Sequence, residues 1–97
     1  MPKLLEELKS KRTKILEIAA KHGVSNVRVF GSVARNEENE ESDIDFLVTI
    51  SPNVSLFSLV KLEISLKESL GRKVQIISDR AVNRHLKDKV FREATIL

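Results

Sequence analysis

Apolar positions along the chain change period several times, and each change marks an element. Leu4, Leu5, Leu8, Ile15, Leu16 and Ala19 recur at helical spacing, with Lys and Glu between them. This predicts one amphipathic helix over Lys3 to His22, stopped by Gly23 and covering a sheet. Its basic residues Lys9, Lys11, Arg12 and Lys14 read as a solvated face. Ser25 to Phe30 reads as a short strand, and Val33 to Asn36 as one helical turn. The acidic loop Glu37 to Glu41 follows, then a strand over Asp43 to Ile50. Ser51-Pro52-Asn53 is a turn. Ser55 can cap a helix over Leu56 to Leu70, with Leu59, Leu62, Leu66 and Leu70 as buried candidates and Gly71 as its stop. Arg72 to Ile77 reads as a third strand. Ser78 or Asp79 can then cap a final helix from about Ala81 to Arg92. The tail from Glu93 to Leu97 ends apolar, suited to packing or to touching a partner. The order α-β-β-α-β-α predicts an α/β (α+β) domain, a small mixed sheet of about three strands covered by helices.

The strand over Asp43 to Ile50 breaks the usual logic of a half-buried strand. Side chains alternate faces, so Asp43 and Asp45 point to one side, roughly 7 Å apart. Ile44, Phe46, Val48 and Ile50 point to the other and can pack on a core. Two carboxylates this close repel unless a cation lies between them. A hard cation with oxygen ligands, magnesium above all, is the natural partner. The four Glu of the preceding loop read as solvated charge rather than as ligands.

Upstream, the strand ending at Phe30 runs into Gly31-Ser32. Glycine lets the backbone approach a ligand closely. Ser32 adds a hydroxyl and a backbone N–H, and a short helix starting at Val33 would turn its positive end to a phosphate. One end of the site therefore suits phosphate and the other magnesium, which together suit a magnesium–nucleoside triphosphate. Arg35 allows two readings: a surface charge or salt bridge to the acidic loop, or a contact with phosphate or a partner.

Composition narrows the classes. Ninety-seven residues, 41% hydrophobic, make one domain over 1–97. With no Cys, a disulfide or thiolate metal site is excluded, and His22 and His85 are too few and too far apart for a histidine-based one. No apolar run reaches the length of a membrane span and no signal peptide is visible, so the expectation is a cytoplasmic protein without membrane association. The net charge of +3 is uneven: residues 1–30 carry +4, residues 31–50 carry −5 and residues 51–97 carry +4. A generic RNA-binding module would not concentrate its acid in its motif, and no direct nucleic-acid binding is expected. The basic residues of the last helix read first as an exposed face and second as a partner surface.

The joint pattern has a family counterpart. Gly31-Ser32, ten residues, then Asp43-x-Asp45 resembles the signature of the polymerase-β-like nucleotidyltransferase superfamily. The fuller match, G-S-V-A-R with S-D-I-D-F-L-V, resembles its minimal nucleotidyltransferase (MNT) branch, as does the helix and strand over Leu56 to Ile77. The resemblance implies that branch's fold without an added substrate-binding domain. It implies Asp43 and Asp45 as catalytic ligands of Mg2+, and Gly31, Ser32, Arg35 and Ser42 as the nucleotide-binding set. It further implies ATP as substrate and transfer of AMP to a hydroxyl, that of a Tyr, on a HEPN-domain ribonuclease toxin, silencing it as an antitoxin. The alternative is an MNT protein of weak or no activity that neutralises the toxin by masking it. Two departures bear on this. Asn36 stands where the family usually has Gly, and Gln75 where it has a third Asp that helps to hold a second metal and takes the acceptor's proton. Gln75 faces away from Val74 and Ile76, which is the side expected to carry the carboxylate pair. Glu41 or Asp79 would be the other sources of a third carboxylate.

Overall fold

The computed structural model describes residues 4–37, 43–79 and 87–97. Its elements are α1 (Leu4–Ser10), α2 (Arg12–Lys21), β1 (Val24–Phe30), β2 (Ile44–Ile50), α3 (Leu56–Leu70), β3 (Val74–Ser78), α4 (Lys87–Glu93) and β4 (Thr95–Ile96). The strands form one mixed sheet in the order β3-β2-β1-β4. β1 pairs antiparallel with β2 and β4, and β2 pairs parallel with β3. α3 supplies the crossover that a parallel pair requires.

Two expectations are corrected. The single helix over Lys3 to His22 is broken at Lys11, where the Ser10 hydroxyl donates to the Glu7 carbonyl at 2.6 Å. A serine bonded back to its own helix competes with the backbone ladder and bends it. The sheet has four strands rather than about three, because the tail pairs with Arg28 and Val29 of β1 and buries Leu97. The final helix appears as α4; its predicted start at Ala81 lies outside the described residues, while Ser78 ends β3 and the Asp79 carboxylate accepts a hydrogen bond from Thr49. Ser55 does occupy the cap position of α3, but its hydroxyl makes no capping bond. Gly71 ends α3 in the left-handed conformation, its N–H donating to Lys67 O at 2.8 Å.

The core lies between the helices and one face of the sheet. Leu8, Ile15, Ala19, Leu62 and Leu66 meet Val27, Val29, Ile44, Phe46, Val48 and Val74. Each such large side chain contributes about 1.5–3 kcal/mol by burial. The interval between Val24 and Val27 departs from strict alternation. A bulge lies between Ser25 and Arg28, with Asn26 at φ 49°, and it returns Val27 and Val29 to the core face. Leu16, one of the periodic apolar positions of α2, is exposed, and Leu59 and Leu70, expected to be buried, are only partly so. Leu47 is buried too, although alternation puts it on the Asp45 face. α4 stands on that face: Arg28, one residue from Val29, stacks over Phe91 at 5.7 Å. Among the described residues no helix is long and apolar enough to cross a membrane.

Candidate active site

Antiparallel pairing of β1 with β2 brings the two halves of the motif together. Phe30 is the register partner of Asp45, so Gly31, the next residue, comes up against the Asp45 carboxylate. A Cβ added to Gly31 would lie 2.5 Å from Asp45 Oδ2. Gly31 also has φ +76°, a left-handed conformation that L side chains seldom adopt. Glycine is therefore required twice over, by the turn and by the space that the carboxylate takes.

Residues 31–36 form a turn rather than a helix. Its bonds run from Arg35 N to Gly31 O at 3.2 Å, Asn36 N to Val33 O at 3.1 Å and Glu37 N to Ser32 O at 2.8 Å. The expected helix dipole is accordingly reduced to single N–H groups, those of Ser32, Val33 and Ala34, which the turn's own bonds do not use. Val33 anchors the turn by burying its side chain in the core. Asn36 has φ 57°, which explains its place in a family that usually has Gly there. Asn is among the few residues that tolerate this conformation.

Asp45 is half-buried and Asp43 exposed just ahead of β2. Burial, and secondly the charge of Asp43, push the Asp45 carboxyl above its ordinary range, while Arg35 pulls it down. Arg35 is itself held by Glu37 at 3.1 Å and by Glu93 of α4 at 2.9 Å. The hydrogen bond to Glu37 is the main cause that raises its pKa further. Both readings of Arg35 thus have a physical basis: it is salt-bridged to the start of the acidic loop, and its charge reaches Asp45. Ser42 and Glu38 to Glu41 lie outside the described residues.

The parallel register sets Gln75 directly beside Asp45 and Val74 beside Ile44. Paired residues point to one side of a sheet, so the exposed Gln75 shares the Asp45 face. Asp79 does not stand in for a third carboxylate: it sits at the far end of β3, accepting a 3.1 Å hydrogen bond from Thr49. Among the described residues no group of three His, Cys, Asp or Glu side chains could hold a metal ion. The donor set is a pair of carboxylates beside a glycine backbone, which fits one hard cation that also takes oxygens from a ligand.

Some residues near the site were not found from sequence. Glu93 reaches Arg35 from 58 positions away, and no local signal announces it. Lys73 was findable: it precedes Val74 as Asp43 precedes its partner Ile44, and the Ile44 N–H donates to Lys73 O at 3.0 Å. With Glu63, Ile64, Lys67 and Val74, these two residues line an open depression of about 400 Å³. Another depression, of about 690 Å³, lies between α2 and the β1–β4 side and is lined by Leu16, Asn26, Arg28 and Ile96 among others. It contains no carboxylate pair.

Residues 13–97 match the model of the family described as polymerase beta, nucleotidyltransferase. A protein of Methanocaldococcus jannaschii, named as a candidate protein adenylyltransferase (MJ0435), is 43% identical over 83 residues, covering 86% of this chain and 89% of its own. Protein adenylyltransferase MntA of Thermococcus cleftensis is 34% identical over 77 residues, 79% of this chain and 78% of its own. Among solved structures, a candidate minimal nucleotidyltransferase superposes with a TM-score of 0.86 at 42% identity, over 96% of this chain and 95% of the other. A complex of tri-AMPylated Shewanella oneidensis HEPN toxin with MNT antitoxin contains a chain of the same fold, with a TM-score of 0.68 at 18% identity over 96% and 71%. A glycine turn set against a strand of paired carboxylates, matched over nearly the whole domain, makes this chain a member of the polymerase-β nucleotidyltransferase family, of the minimal type.

Proposed function

We propose that this protein transfers AMP from Mg–ATP to a hydroxyl, that of a Tyr, on a partner HEPN-domain toxin and so acts as an antitoxin. The observation that carries the reading is the approach of the Gly31 backbone to the Asp45 carboxylate, with Asp43 alongside. Asp43 and Asp45 would hold the metal, which supplies charge neutralisation at the phosphates when bound. Gly31 and Ser32 would hold the outer phosphates, the Ser32 hydroxyl adding a donor, and Arg35 and Ser42 would complete the binding set. The acceptor oxygen forms a bond to the α-phosphorus, the bond from that phosphorus to the bridging oxygen breaks, and pyrophosphate leaves. The hydroxyl proton must go to a base. Gln75, beside Asp45, cannot take it, because a neutral amide is no base. In this reading a base from the toxin, such as a His near its target, takes it.

The experiment compares ATP labelled on the α- or the γ-phosphate, with magnesium and the cognate toxin. Label should reach the toxin from the α position only, and not with Asp43→Ala or Asp45→Ala. γ-Label on the toxin would make the protein a kinase and overturn the reading. A second reading, neutralisation by masking, is favoured by one observation: the residue paired with Asp45 on β3 is Gln75, a neutral amide that cannot act as a base. Loss of toxin activity with no label transferred would select it.

A further inference from the structure

Glu93 ends α4, 58 positions along the chain from the side chain it holds. Its carboxylate accepts a 2.9 Å bond from Arg35 Nη1, while Glu37 accepts one of 3.1 Å from Arg35 Nε. The two partners differ in what they are attached to. Glu37 follows Arg35 by two residues, and its side chain is 64% exposed. It cannot fix Arg35 relative to the sheet. The Glu93 side chain is only 23% exposed and belongs to a segment fastened to β1. Thr95 and Ile96 pair with Val29 and Arg28, the Leu97 N–H donates to Val27 O at 3.1 Å, and the Arg28 guanidinium stacks over Phe91. Followed back from the Val29–Thr95 pair, the antiparallel register brings position 93 to the level of Gly31. The fold therefore carries a carboxylate from the far end of the chain to the glycine turn.

The strand pairing, the stacked ring and the burial of Leu97 already hold the tail, so the tail does not need this ion pair. An ion pair so close to solvent also contributes little to stability. What it does is fix a long side chain. The turn sets the Arg35 backbone, whose N–H donates to Gly31 O at 3.2 Å, but leaves its guanidinium to be placed by partners. A guanidinium is a planar fork of five N–H donors, and a fork held in advance loses less on binding an anion. With Nε and Nη1 taken, both N–H groups of Nη2 are left among the described residues. The guanidinium is near enough to Asp45 for its charge to act on that carboxylate. We infer that Glu93 is a positioning residue: from α4 it holds the Arg35 guanidinium beside the carboxylate pair, so that Nη2 meets the triphosphate of Mg–ATP. This inference rests on the proposed nucleotide site and adds the residue that organises its phosphate end. The opposite role, in which Glu93 withholds Arg35 from the phosphates, would need Nη2 to be occupied, and neither bond uses it.

The test measures Mg–ATP affinity of the full chain by calorimetry, with ligand-free thermal melts alongside. Glu93→Gln keeps the shape and removes the charge. It should weaken Mg–ATP binding about tenfold, the size of one charge-assisted hydrogen bond, and leave the thermal midpoint in place. Glu93→Asp, which keeps the charge, should retain part of the affinity, and Glu37→Gln nearly all of it. In an Arg35→Gln background, Glu93→Gln should have no further effect, because Glu93 acts through Arg35. Unchanged or tighter Mg–ATP binding by Glu93→Gln, a loss as large with Glu37→Gln, or the same tenfold loss in the Arg35→Gln background would overturn the inference. If the affinity falls through Arg35 but the unmodified protein transfers no label to the toxin, the positioning role stands and the transferase reading falls. If label is transferred and Glu93→Gln binds Mg–ATP as the unmodified protein does, the reverse holds. An unmodified protein that binds no Mg–ATP would overturn both.

Discussion

Burial and the charge of Asp43 hold the Asp45 carboxyl above its ordinary range in the metal-free protein. The folded state then binds a proton more tightly than the unfolded chain. The contribution of Asp45 to metal-free stability is accordingly fully present below the ordinary carboxylate range and is lost as pH rises through the raised pKa. Asp45→Asn removes the ionisable group at nearly constant shape. It is expected to raise the melting temperature in chelator at neutral pH by a few degrees, to flatten that acid-side slope, and to abolish magnesium-dependent ATP binding. Thermal melts across pH, with and without magnesium, check this; an unchanged slope would remove Asp45 as its cause. Gly31 is the complementary residue. Gly31→Ala adds a Cβ at 2.5 Å from Asp45 Oδ2 in a left-handed backbone. The backbone alone costs about 1–2 kcal/mol, and the displaced carboxylate weakens Mg–ATP binding as well. Denaturant titration and calorimetry measure the two effects separately. This much of the site was legible in the sequence, since strand alternation placed both carboxylates and a glycine before a serine marked a close backbone approach. The meeting of Gly31 with Asp45 needed the antiparallel register. Ser42 and the acidic loop beyond Glu37 lie outside the described residues.

At the scale of elements, β2 is the strand on which site and core share one backbone. Ile44, Phe46 and Val48 belong to the core, while Asp45 lies on the other face. The run Phe46-Leu47-Val48 is apolar without alternation, a sign that both faces are covered, and Leu47 is indeed buried. β2 and β3 were readable as strands because each is a run of strand formers with a turn signal before or after it. β4 was not readable: two residues have no period, and Thr95 and Ile96 become a strand only because Arg28 and Val29 stand free to pair with them. The break at Lys11 was hidden for a similar reason, since apolar spacing continues across it and only the Ser10 hydroxyl bond reveals it. The parallel β2–β3 register carries a prediction of its own. Gln75 is paired with Asp45, so Gln75→Asp restores a third carboxylate beside the pair. AMP transfer at saturating ATP should then be faster, by an amount in the range of about 10²–10⁴-fold that a positioned base supplies. No increase would mean that acceptor activation does not pass through position 75.

At the scale of the whole molecule, the described residues form a single sheet with α1, α2 and α3 on one face and α4 standing on the other, where the Asp45 carboxylate lies. On that face the Gly31 backbone comes up against Asp45, and there the proposed acceptor would react. The sequence showed α3 as a helix with four leucines as buried candidates, of which Leu62 and Leu66 are buried and Leu59 and Leu70 only partly so. Period alone could not rank them, because Leu56, Phe57, Val60 and Ile64 on the same helix are apolar too and only packing decides which side is inside. The proposed neutralisation is covalent, with AMP moving to the partner through Asp43 and Asp45. The most direct measurement is the intact mass of the cognate toxin after incubation with this protein, ATP and magnesium. A gain of about 329 Da per event, the mass of the group moved in metal-assisted nucleotidyl transfer, is the predicted result, absent with Asp43→Ala or Asp45→Ala. A toxin inactivated at unchanged mass, or a gain that survives loss of both carboxylates, would contradict it.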